Sequence, residues 1–114
     1  MYRIAVLTSS RAQEAFLAEQ ISRFCAEHCL FPKMDCYHDQ ESFFEAARCE
    51  PLTNAVIALP GVDGLNAVEH LRALCPQTRI IWCSDLDFSL HAFRLRADYF
   101  LLEPVTEAAL RQGF

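Results

Sequence analysis

Three short runs constrain this chain more than anything else in it: Arg3–Thr8 (RIAVLT), Asn54–Leu59 (NAVIAL) and Arg79–Ser84 (RIIWCS). Each is apolar along nearly its whole length, carries β-branched residues and is followed by a stretch of helical spacing. A strand with one wet face alternates polar and apolar side chains, and these runs do not. They predict strands covered on both faces, which means a parallel sheet with helices in front and behind.

The rest of the chain fills in that plan. Ser9 and Ser10 can cap a helix from Ala12 to about Cys29, where Leu17, Ile21, Phe24, Cys25 and His28 share a face, and Pro32 ends it. Lys33 to His38 alternates as a partly exposed strand, and Asp39 to Arg48 is helical with Phe43, Phe44 and Ala47 inward. A turn from Pro60 to Gly64 leads to a third helix marked by Leu65, Val68, Leu71 and Cys75 and closed by Pro76. Phe88, Ala92 and Leu95 mark a fourth helix, Asp98 to Leu102 a fifth strand stopped by Pro104, and Thr106 can cap a last helix with Ala109 and Leu110. Five strands alternating with five helices give an α/β class and, in 114 residues, the flavodoxin-like doubly wound order 2-1-3-4-5. No G-x-G-x-x-G fingerprint argues for the longer dinucleotide-binding alternative. Residues 1–114 read as one domain whose final helix, barely two turns before Phe114, is expected to be truncated, with any output domain beyond it.

A net charge of −5, spread along the chain without a basic stripe, argues against direct nucleic acid contact by this domain. The opening MYRIAVLTSS is too short an apolar run for a signal peptide or a membrane span, so a cytoplasmic protein is expected. Six cysteines occur without a Cys-x-x-Cys pair and read as reduced thiols. Cys25, His28 and Cys29 could form part of a soft-metal site, but a structural site needs four ligands and no second pair follows. No metal or cofactor is expected.

In an open parallel sheet, ligands bind beyond the carboxyl ends of the strands, at the switch point beside the first strand. There the sequence offers Thr8, Ser9 and Ser10 after strand one, Val56 to Leu59 on strand three, Ser84, Asp85 and Asp87 after strand four, and Glu103 after strand five. The turn LPGVDG, Leu59 to Gly64, resembles the receiver domains of two-component response regulators, in which strand three carries an aspartate followed by Met-Pro and Asp-Gly at fixed offsets. IIWCS, Ile80 to Ser84, is similar to that family's fourth strand ending in Thr or Ser, and ADYFLLEP, Ala97 to Pro104, to its fifth-strand segment ending in Lys-Pro. The likeness runs in order along nearly the whole chain. SLHAFRLRADYFLLEPV further resembles receivers attached to LytTR-type DNA-binding domains.

What the resemblance implies is a signalling domain whose chemistry has been removed. The family's acidic pair falls on Thr8 and Ser9, its phosphoacceptor on Val56, its hydroxyl on Ser84 and its lysine on Glu103; only the hydroxyl is kept. Two hydroxyls beside a valine supply no charge to offset the dehydration of magnesium, and Glu103 repels phosphate where a lysine would attract it. Asp63 matches the Asp-Gly of the turn and is expected to cap the third helix; Asp85 and Asp87 are expected at the solvated start of the fourth. Phe100 occupies the family's switch-aromatic position and, having no hydroxyl to keep in water, is expected to be buried. The matching Lys-Pro of the family is cis, which makes Glu103-Pro104 an expected cis bond.

The domain is therefore expected to be non-enzymatic and independent of phosphorylation, and to act through protein contacts on an output, with transcription the expected target. The resemblance implies a homodimer through the fourth helix, fifth strand and fifth helix, where Arg94, Arg96, Asp98, Glu107 and Arg111 could form cross-dimer ion pairs. DNA would be reached only through a downstream domain, and no membrane is involved. The alternative is a small-molecule or phosphate-binding flavodoxin-like domain, with TSSRAQ, Thr8 to Gln13, as a hydroxyl-rich turn opening a helix.

Overall fold

The computed structural model describes residues 3–50, 52–103 and 105–112. Its elements run β1 (Arg3–Thr8), α1 (Arg11–Glu27), β2 (Lys33–Tyr37), α2 (Gln40–Cys49), β3 (Asn54–Ala58), α3 (Gly61–Leu74), β4 (Arg79–Ser84), α4 (Ser89–Arg94), β5 (Tyr99–Leu102) and α5 (Glu107–Gln112). The sheet order is β2-β1-β3-β4-β5, and every adjacent pair is parallel. This is the flavodoxin-like topology. The proposed Glu103-Pro104 cis bond and the side chain of Arg111 lie outside the described residues.

The register places Val56 between Val6 and Ile81, and Thr8 beside Ala58. Side chains alternate between two buried layers. Ile4, Val6, Val56, Ala58, Ile81 and Cys83 pack under α1 and α5 with Leu17, Ile21 and Leu110. Ala5, Leu7, Ile57, Ile80 and Trp82 pack on the opposite face with Phe43, Phe44, Val68 and Leu71. Every residue of β1 and β3 is buried, as the apolar runs require.

Local chemistry sets the helix ends. Ser10 Oγ accepts the Gln13 N–H at 3.3 Å, Asp39 Oδ2 accepts that of Ser42 at 3.2 Å, and Thr106 Oγ1 accepts that of Ala109 at 3.2 Å. The bond from Ser42 holds the Asp39 carboxyl below its ordinary value. Helix α1 stops short of Pro32, because Cys29 turns left-handed at φ 57° and the Leu30 N–H closes on Cys25 O at 2.7 Å.

The segment read as a turn, Pro60 to Gly64, is already the first turn of α3. Asp63 is the acidic residue of that turn, while the N-cap position is Pro60, which has no side-chain capping bond. The capping carboxylate comes instead from the loop after β4, where Asp85 Oδ1 accepts the Gly61 N–H at 2.8 Å. Asp85 therefore does not serve the start of α4; Asp87 does, accepting the Ser89 N–H at 3.0 Å. Gly64 is required by close approach: a Cβ there would lie 2.6 Å from Leu59 O and 3.2 Å from Trp82 Nε1.

At the opposite end of the sheet, Arg72 gathers four carbonyls. Its guanidinium donates to the oxygens of Leu95, Pro76, Thr78 and Arg96, each at 2.9 Å. Those bonds fix the short α4 and the left-handed Arg96 (φ 56°) against α3. Burial draws the Arg72 pKa down, while Asp98 at 3.8 Å opposes that shift.

Gly64→Ala should cost about 1–3 kcal/mol in a denaturant melt, because the nearest obstacle is backbone and cannot swing aside. A variant as stable as the parent would show that α3 can slide away from Leu59.

Candidate functional site

The carboxyl ends of β1, β3 and β4 bring Thr8 and Ser84 to the top of the sheet, both fully buried. Val56 lies lower, in the interior of β3 and fully buried, with Ala58 following it on the same face. Ser9 is exposed in the turn after β1. Glu103 is exposed just after β5, and its backbone N–H donates to Ser84 O at 2.8 Å.

A chain of hydrogen bonds crosses this end of the molecule. Thr8 Oγ1 donates to Gln13 Oε1 at 2.9 Å, and Gln13 Nε2 donates to Glu103 Oε1 at 2.6 Å. Thr8 Oγ1 also accepts the Ser10 N–H at 3.3 Å. Gln13, on the first turn of α1, thus joins the end of β1 to the residue after β5. Sequence reading missed it, because a glutamine in a first helical turn carries no signal until its reach across the strand ends is known. The bond between Asp85 and Gly61 ties the loop after β4 to the start of α3 in the same way.

This donor set does not fit a magnesium ion. Thr8 and Ser9 bring neutral hydroxyls, Val56 brings none, and the carboxylates of Asp85 and Glu103 each already accept a hydrogen bond, from the Gly61 N–H and from Gln13 Nε2. Among the described residues no group of three His, Cys, Asp or Glu side chains could hold a metal ion. Cys25 and Cys29, considered above with His28, are parted by burial: Cys25 is inside, Cys29 is exposed, and His28 stacks on Phe24 with ring centroids 4.2 Å apart.

Beside the strand ends, the first turns of α1 and the residues after β5 enclose an open groove of about 630 Å³, lined by Ser10, Ala12, Gln13, Phe16, Leu17, Glu103 and Val105.

Phe100 is half-buried and meets Trp82 edge to face with centroids 5.2 Å apart. The expectation of full burial fails because β5 is an edge strand with a neighbouring strand on one side only. The hydroxyl of Ser84 accepts the Leu86 N–H at 3.1 Å, which engages it within its own loop.

The charges expected across a dimer have partners inside the chain. Arg94 pairs with Glu69 at 2.9 Å, and Glu107 with Arg23 at 3.7 Å. Asp98 accepts the Ile80 N–H at 2.7 Å and faces Arg72. Arg96 is exposed and gives its carbonyl to Arg72. The same region exposes apolar side chains instead: Leu90 is 86% and Phe93 87% accessible, and Leu86 and Leu102 are half-exposed.

Burial drives the Cys83 thiol up to about 12, with the negative charge of Glu103 adding to the rise. Burial also raises Cys25. The raised Cys83 pKa favours folding fully below about 9, its ordinary value, and that contribution declines as pH climbs toward 12.

Comparison with protein-family models gives no match, and neither does comparison with curated proteins. Solved structures do match. The response regulator DrrB of Thermotoga maritima, an OmpR/PhoB homolog, superposes with a TM-score of 0.73 at 19% identity over 98% of this chain and 50% of its own. A response regulator protein from Burkholderia pseudomallei, solved with a phosphorylated aspartic acid, calcium ion and citrate, gives 0.74 at 18% identity over 96% of this chain and 64% of its own. A response regulator receiver domain from Clostridium thermocellum gives 0.79 at 13% identity, covering 99% of this chain and 90% of its own. The chain thus has the receiver fold, and it spans about half to two thirds of the two longer regulators. Among the described residues no helix is long and apolar enough to cross a membrane.

With Ellman's reagent at pH 8, exposed Cys29 and Cys49 should react at once, and Cys83 only as fast as the protein unfolds. Rapid modification of Cys83 in the native state would contradict its place in the core. Phe100→Ala should cost less than the roughly 3–5 kcal/mol of a fully buried phenylalanine. A loss in that full range would put the ring inside.

Proposed function

We propose that this domain is a receiver-fold signalling module that works without phosphoryl transfer, is not an enzyme, and passes its signal by protein contact from the cytoplasm. The observation that carries the reading is the position of Val56. Where the family resemblance puts a phosphoacceptor, this chain puts an aliphatic side chain continuous with Val6, Ile81 and Leu17. Thr8 and Glu103, at the acidic and lysine positions, are joined by Gln13, and neither combination supplies the charge that phosphate and a divalent cation require. With no phosphate to bind one arrangement better than another, Ser84 and Phe100 have no ligand to shift them by that route.

The output surface in this reading is α4, β5 and α5, and its partner is a second copy of the chain. Leu90 and Phe93, three residues apart on α4, share one face and stand out in solvent, with Leu86 and Leu102 nearby in sequence or sheet. Apolar contacts then supply the binding energy, and the charges of Arg94, Arg96, Asp98 and Glu107 set its rim. A linked DNA-binding domain, of the LytTR kind suggested by SLHAFRLRADYFLLEPV, would carry the output to transcription.

Incubation with acetyl phosphate and magnesium, read by phosphate-affinity electrophoresis, should give no phosphorylated band. Sedimentation should show a dimer fraction that follows protein concentration and ignores phosphodonor, with Phe93→Glu weakening the dimer at least roughly tenfold. A phosphate mapped to Asp63 or Asp85, or a donor-dependent dimer, would overturn the reading.

A further inference from the structure

We propose that the groove beside Glu103 binds a small organic ammonium ion, so that the input to this domain is a cation. The inference rests on the reading of the strand ends as stripped of phosphoryl chemistry, and it names what the same region could take instead.

Ala12, Phe16, Leu17 and Val105 are apolar, and the polar lining is confined to Ser10, Gln13 and Glu103. At about 630 Å³ the space falls within the roughly 300–1,000 Å³ of small-molecule sites, which are mostly apolar with few convergent polar groups. Among the described lining residues Glu103 is the one charged side chain. Neither an ion pair nor any hydrogen bond beyond that from Gln13 is given to its carboxylate by the described residues.

The carboxylate is also held in place. Gln13 Nε2 fixes Oε1 at 2.6 Å, Thr8 fixes the other end of the Gln13 amide at 2.9 Å, and Ser10 accepts the Gln13 backbone N–H at 3.3 Å. An acceptor ordered before the ligand arrives loses less entropy on binding. Its charge extends inward as well, since it helps to raise the Cys83 thiol.

Chemistry then selects the ligand class. The full negative charge of Glu103 exceeds the partial positive charge of about +0.5 at the α1 N-terminus that borders the groove, so an anion is disfavoured, and a hard divalent cation would want six or more oxygens where one carboxylate is offered. An ammonium head brings three donors to an acceptor-only group, and its hydrocarbon body matches the apolar walls. Phe16 adds an aromatic surface of the kind cations favour. The occupant is a free small molecule, because the groove's volume suits one and its polar groups are few.

The test is a titration of the ¹⁵N-labelled domain with cyclohexylammonium, with cyclohexanol as the neutral molecule of the same shape and phosphate as the anion. The amine should shift the amides of Ser10, Gln13, Glu103 and Val105 saturably, whereas cyclohexanol and phosphate should not. Glu103→Gln keeps an acceptor for Gln13 and removes only the charge, so it should bind the amine at least roughly tenfold more weakly with its other resonances unchanged. No saturable shift, equal binding of cyclohexanol, or undiminished binding by Glu103→Gln would each overturn the assignment. Failure here leaves the absence of phosphoryl transfer standing, and a phosphorylated band in the electrophoresis would leave this titration to be read on its own.

Discussion

Three central strands buried on both faces govern everything else in this molecule. β1, β3 and β4 lie between two helix layers, and their side chains alternate into one or the other. A charge placed within them would have to leave water without a partner, which costs several kcal/mol or forces neutralisation. Polar groups are accordingly pushed to the ends of the strands, where Arg3, Asn54, Thr8 and Ser84 are found. Receiver chemistry needs a carboxylate where β3 nears its end. This chain has extended the hydrophobic layer through that position.

Around Val56, the polar groups at the strand ends have partners within the chain. Thr8, Gln13 and Glu103 form a neutral-to-anionic hydrogen-bond chain across the strand ends, and Asp85 turns to the Gly61 N–H. The consequence is a top surface held by side chains already present in the fold, with the Glu103 carboxylate at its rim. The same economy appears at the other end, where Arg72 collects the carbonyls of two loops and leaves α4 only six residues long.

The sheet was legible because a strand buried on both faces writes an apolar run, and the order followed from five short strand-helix units. Strand β4 falls on Arg79–Ser84 as read, and β3 ends one residue before Leu59. The helix starts were harder. A proline and two glycines from Pro60 to Gly64 read as a turn, yet Gly61 enters α3 by adopting a positive φ and borrowing Asp85 from a distant loop, a contact that no local pattern announces. Phe100 was misjudged because an edge strand has a neighbouring strand on one side only, and no local pattern marks β5 as the edge. Gln13 was invisible because its partners are Thr8 and Glu103, the latter ninety positions away. Composition writes layers; it does not write long-range side-chain bonds.

If Val56 belongs to the core and is not a vacant phosphoacceptor seat, Val56→Asp should destabilise the fold. Urea melts of this variant at pH 7 and pH 5 measure whether the position tolerates a charge. A core position predicts a loss of roughly 3 kcal/mol or more at pH 7, partly recovered at pH 5, since a buried carboxyl has a raised pKa and is neutralised as pH falls. Parent-like stability at both values, with a carboxylate that takes phosphate from acetyl phosphate, would contradict the account.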